Sequence, residues 1–153
     1  MKKDITLFRL SVLCLFVSSF SILLTFIGNY EGDLFNVIFA VLTGVLFWGG
    51  LAAGYAILFV VNRHRKRFEA SRGVKNSRVG VLKFFSNKWA KIIDVWLIFM
   101  FLLNLAIMFV PVAGQAVQVV TIVLLIFLIH MHSLFNGINF TYIQFLSSKE
   151  SRR

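Results

Sequence analysis

Long apolar blocks, separated by short polar breaks, organise this chain. Apolar residues dominate from about Ile5 to Gly28, Leu34 to Val61, Ile92 to Val110 and Ala116 to Leu146. Each block reaches the roughly 20 residues that a helix needs to cross the hydrocarbon of a bilayer. The pattern predicts an all-α membrane protein of four transmembrane helices in a single membrane domain. The breaks at Asn29-Tyr30-Glu31-Gly32-Asp33 and around Pro111 and Gly114 are short. Connections of about five residues force antiparallel neighbours, so spans one and two, and spans three and four, are expected as two hairpins. Blocks two and four exceed what a bilayer requires. Their surplus is polar and lies toward Asn62 and Arg63 on one, and Asn139 to Ser148 on the other, which suggests helices projecting beyond the membrane.

Charge sets the orientation. Ten of the 16 Lys and Arg residues fall between Arg63 and Lys91, and the other six flank the two ends of the chain. Neither short break carries a single one. By the positive-inside rule, the basic connection at 62–91 and both termini face the cytoplasm of a bacterial inner membrane. An even number of spans agrees with both termini lying on one side. The formal charge of +10 is thereby explained by topology, and nucleic acid becomes an unlikely partner. Met1-Lys2-Lys3 before an apolar run resembles a signal peptide, but the run is longer than a secretory core and ends without a small-x-small site. One cysteine, Cys14, excludes an internal disulfide and reads as a packed thiol.

Three groups of residues are candidates for contact or chemistry. The first is the basic set Arg63, Arg65, Lys66, Arg67, Arg72, Lys75, Arg78, Lys83 and Lys88, suited to anionic lipid or to an acidic cytoplasmic protein. Within it, the stretch 79–89 mixes aromatics with lysines in the manner of a segment lying in the headgroup layer. The second is Gly49, Gly50, Ala53 and Gly54, with small residues at spacing four. Such spacing lets helix backbones approach closely, and self-association into a homo-oligomer is the slightly favoured outcome. Trp48 beside them is expected to pack between helices. Trp89, Trp96 and Tyr142 are expected near the inner interface and Tyr30 near the outer one.

The third group is intramembrane and polar: Asp94, Asn104, His132, Asn136 and Asn139. His132, Asn136 and Asn139 follow spacings of four and three on one helix face, and Asp94 lies at comparable depth on block three. A polar clamp between helices is the plainest reading, with a proton- or ligand-sensing site next. His130 faces elsewhere, and histidines two apart on one helix cannot converge on a metal ion. No paired carboxylates, nucleophile–base motif or phosphate-binding glycine loop is present, so neither catalysis nor a cofactor is expected. The expectation is a small non-enzymatic membrane anchor, sensor or regulatory subunit that docks a soluble cytoplasmic partner, as in an envelope-stress or phage-defence system. The alternative is an oligomeric channel or transporter subunit with the polar face of the fourth helix lining the path, although blocks one and two read as almost wholly apolar at their centres.

Overall fold

The computed structural model describes residues 2–28, 33–72, 83–109 and 114–150. These residues form five helices and no strand: α1 (Lys2–Gly28), α2 (Asp33–Ala70), α3 (Lys88–Phe109), α4 (Gln115–Phe135) and α5 (Ile138–Glu150). α1 to α4 are each long and apolar enough to cross a membrane. The acidic break at 29–32, Tyr30, Pro111, Lys75 and Arg78 lie outside the described residues.

Two elements depart from the boundaries read in the sequence. Block four is not one helix, because the chain breaks at Asn136-Gly137 and restarts as α5. The Asn136 side chain is committed to a neighbouring helix rather than to solvent. Gly137 packs so tightly that a Cβ there would lie 2.9 Å from the Ser133 carbonyl oxygen. The second departure concerns the connection at 62–91, which is helical at both ends. α2 continues to Ala70, giving 38 residues or roughly 57 Å of helix, well beyond a hydrocarbon core of about 30 Å. The extension holds itself through Arg65, which forks onto both Glu69 carboxylate oxygens (2.6 and 2.7 Å) and onto Asn62 Oδ1. α3 begins where Asn87 caps it, its Oδ1 accepting from the Ala90 N–H at 2.9 Å.

Helices α1 and α2 meet along a seam of serines and glycines. Ser11 Oγ donates to the Gly54 carbonyl (3.0 Å), Ser18 Oγ to that of Phe47 (2.8 Å), and Thr43 Oγ1 to that of Ser21 (3.1 Å). Numbers rise on one helix as they fall on the other, so the two run in opposite directions. Gly50 and Gly54 make the approach possible: a Cβ on Gly50 would sit 2.8 Å from the Cys14 carbonyl oxygen, and one on Gly54 2.8 Å from Leu15 Cγ. α3 and α4 meet through Asn104 and Thr121, each side chain donating to the other residue (3.2 Å), and through Asp94 and His132. α4 also packs on α1, with Phe127 edge-on to Phe16 and Phe20.

The buried apolar cluster is densest at one end and reaches inward to Leu15, with Met100 and Val123 buried further along α3 and α4. Ile5, Phe8, Val61, Met131, Leu134, Phe140, Ile143 and Leu146 close together at that end, where α1 and α3 begin and α2 and α4 finish. α5 lies across this end. Away from it, Val37, Val45, Phe59, Met108 and Phe109 are exposed, as expected for surface that faces lipid. Trp48 belongs to that surface. It is 66% exposed and does not pack between helices, because the α1 seam takes the Gly50/Gly54 face of α2 instead.

Candidate functional site at the polar end

The packed end holds two Asp–His pairs. Asp94, in the second turn of α3, is 0% exposed. Its carboxylate accepts from His132 Nδ1–H on α4 (2.7 Å), from the Asn136 amide (2.9 and 3.2 Å to its two oxygens) and from the Phe85 backbone N–H (2.6 Å). A carboxylate accepts only, so its contact with Nδ1 assigns the proton to that nitrogen. The segment 83–87 closes over the pair. Phe84 lays its ring 4.4 Å from that of His132, and Phe85 adopts φ 57°. Ser86 donates through both N–H and Oγ to Asn136 Oδ1 (3.2 and 2.8 Å), and Asn87 Nδ2 reaches the Phe135 carbonyl at the end of α4 (2.7 Å). That carbonyl, one of the four left orphaned at a helix C-terminus, thereby gains a donor.

The second pair ties three helices. Asp4 at the start of α1 accepts from His64 Nδ1 on the α2 extension (2.7 Å) and from the Tyr142 hydroxyl on α5 (2.8 Å). Burial and the adjacent carboxylate both hold the Tyr142 phenol above its ordinary value, so it remains an O–H donor. Tyr142 is therefore a buried strut rather than an interfacial anchor, whereas Trp89 and Trp96 are exposed. Further into the spans, Tyr55 on α2 hydrogen-bonds His130 Nδ1 on α4 (3.0 Å).

The residues singled out in the sequence separate accordingly. Asp94, His132 and Asn136 come together. Asn104 does not join them, being spent on Thr121 and on the Met100 carbonyl. Asn139 stands apart on α5. Gly50 and Gly54 face α1, while Gly49 and Ala53 are exposed, with nothing within 4 Å of a Cβ built on Gly49. Of the basic set, Arg63, Lys66, Arg67, Arg72, Lys83 and Lys88 are exposed. Arg65 is 4% exposed and held by Glu69 and Asn62, which removes it from any docking surface. Residues 83–87 form an irregular clasp over Asp94 and His132, while residues 79–82 of the stretch expected in the headgroup layer lie outside the described residues.

Sequence reasoning missed Asp4 and His64, and placed Tyr142 at the inner interface without its carboxylate partner. It also missed the serine seam, although Ser11 and Ser18 are seven apart and so share a face. The buried face of α1 consequently sets Ser11, Ser18, Ser19 and Ser21 beside Leu15, where an almost wholly apolar centre is expected from the sequence. Among the described residues no three His, Cys, Asp or Glu side chains converge as a metal site would require. Comparison of the chain with protein families, characterised proteins and solved structures gives no match.

Proposed function

We propose that this is a four-span bacterial inner-membrane protein, arranged as two antiparallel hairpins with the polar end in the cytoplasm, which serves without catalysis as an anchor or regulatory subunit for a soluble acidic protein. The observation that carries the reading is the α2 extension. It leaves the apolar span as continuous helix, is fixed to α1 and α5 through His64–Asp4–Tyr142, and presents Arg63, Lys66 and Arg67 exposed. A rigid, cationic platform suits a docking surface because its side chains need little ordering on binding. Anionic headgroups share the same attraction, worth about 1 kcal/mol per basic residue near the surface. A homo-oligomer would use the exposed Gly49/Ala53 pair on the lipid-facing side of α2, since Gly50 and Gly54 are occupied by α1.

A photo-crosslinking residue at Lys66 tests the proposal in living cells. It should give a discrete adduct with one soluble protein, lost when Arg63 and Arg67 are changed to Gln, and none from the same probe at Phe59. Adducts with lipid alone at Lys66 would contradict the docking role. The channel reading draws on the ionisable pair Asp94–His132 within α3 and α4. It predicts conductance from liposomes holding this protein alone, altered by His132→Ala.

A further inference from the structure

A groove runs between the α2 extension and α5, with a volume of about 270 Å³. Its floor is apolar and aromatic, made by Phe68, Ile138 and Phe145. Arg72 roofs it, its guanidinium carbon 4.4 Å from the Phe68 ring centroid and 5.4 Å from that of Phe145, and at the rim Lys149 Nζ lies 5.1 Å from the Phe145 centroid. The acidic and phenolic groups of the lining are already engaged elsewhere. Glu69 is neutralised by the fork of Arg65, and the Tyr142 hydroxyl is donated to Asp4. What remains for an incoming molecule is an apolar slot, the exposed Thr141 hydroxyl and the positive charges of Arg72 and the neighbouring Lys149, which no carboxylate among the described side chains neutralises.

From this pairing of slot and charge we infer that the α2–α5 groove binds one anionic phospholipid, an acyl chain lying against Phe68 and Phe145 and the phosphate held by Arg72 and Lys149. A soluble anion would leave the aromatic floor unused, and a neutral lipid would leave two cations without a counter-charge. A phospholipid supplies both parts. The groove starts at Phe68, about two helical turns or roughly 10 Å beyond the end of the apolar span at Val61, so a lipid reaches it from the headgroup side of the bilayer. This inference rests on the four-span reading above, though not on the docking of a protein partner. The position of α5 gives the site a consequence: a lipid in the groove bridges α5 to α2 beside the Asp4–His64–Tyr142 strut.

Native mass spectrometry of the full chain ejected from nanodiscs of equal phosphatidylglycerol and phosphatidylcholine tests the site. One phosphatidylglycerol should be retained, about five-fold or more over phosphatidylcholine, as expected when a basic residue adds about a factor of five. Arg72→Gln with Lys149→Gln should abolish the preference, and Thr141→Trp, which fills an exposed position in the slot, should lower retention of both lipids. Arg63→Gln with Lys66→Gln removes as much charge from the same end and should leave the preference intact. Equal retention of the two lipids, loss of preference in the Arg63/Lys66 control, or displacement by millimolar glycerophosphate would each overturn the inference. Failure of the chain to enter nanodiscs at all would overturn the membrane reading and the inference together.

Discussion

The two helix pairs solve the same problem with different chemistry. α1 and α2 approach through glycines and let serine hydroxyls reach main-chain carbonyls, whereas α3 and α4 meet through the amide of Asn104, the hydroxyl of Thr121 and the carboxylate of Asp94. Each pair ends at the packed end in an Asp–His contact of 2.7 Å. The surroundings differ. Asp94 takes donors from two side chains and one backbone N–H and is sealed by residues 83–87, while His64 keeps 33% of its side chain exposed. In hydrocarbon the apolar surface supplies no drive for association, so directional bonds and close packing must supply it. A pair whose seam brings serine hydroxyls onto main-chain carbonyls can leave the histidine of its terminal Asp–His contact partly solvated. The pair with fewer close approaches needs its carboxylate fully satisfied.

This contrast predicts a ranking of substitutions, measured as unfolding of the reconstituted protein. Asp94→Ala leaves His132, Asn136 and the Phe85 N–H without their shared acceptor and should cost about 3 kcal/mol. Next comes Gly50→Ile, whose Cβ meets the Cys14 carbonyl and should cost about 2 kcal/mol, while Gly44→Ile, with open space around it, should stay within about 0.5 kcal/mol. Equal costs for the two glycines would show that the α1–α2 seam is not held by close approach. Asp4→Ala should cost about 1 kcal/mol, because its histidine partner is partly solvated. A loss as large as that of Asp94 would erase the distinction between the pairs. Smallest are single seam bonds: Ser18→Ala and Thr121→Val should each cost about 0.6 kcal/mol.

A titration sharpens the α1–α2 side without unfolding anything. Burial first, and then the hydrogen bond to Asp4 and its charge, disfavour the Tyr142 phenolate, so its pKa is raised and ionisation comes late as pH rises. In ultraviolet difference spectra, Tyr142→Phe should remove a late-ionising component, and Asp4→Asn should move that component to lower pH. An unchanged spectrum in Asp4→Asn would detach Tyr142 from the carboxylate.

Much of this architecture was legible as pattern. Block length and hydropathy marked the four long helices, and the spacing of His132 and Asn136 against the depth of Asp94 marked one cluster. What escaped has physical causes. His64 was hidden inside a run of arginines, where charge dominates the reading, and its partner Asp4 lies 60 positions away. The serines of α1 carry weak hydropathy, so a polar seam was submerged in an apolar average. Glycines at spacing four announced close packing but not which of two neighbouring faces would be used. The break at Gly137 was invisible because Asn136 reads as an ordinary helix residue until its side chain is seen bound to Asp94.

Orientation is the claim on which the rest depends, and cysteine accessibility tests it most directly. In a Cys14→Ser background, single cysteines are placed at Ser71 beyond α2 and at Gly114 before α4, both exposed and at opposite ends of their helices. Intact spheroplasts are then treated with a membrane-impermeant maleimide. The account predicts labelling at position 114 from outside and labelling at position 71 only after permeabilisation. Labelling of position 71 in intact spheroplasts, with position 114 protected, would place the polar end outside the cell and contradict it.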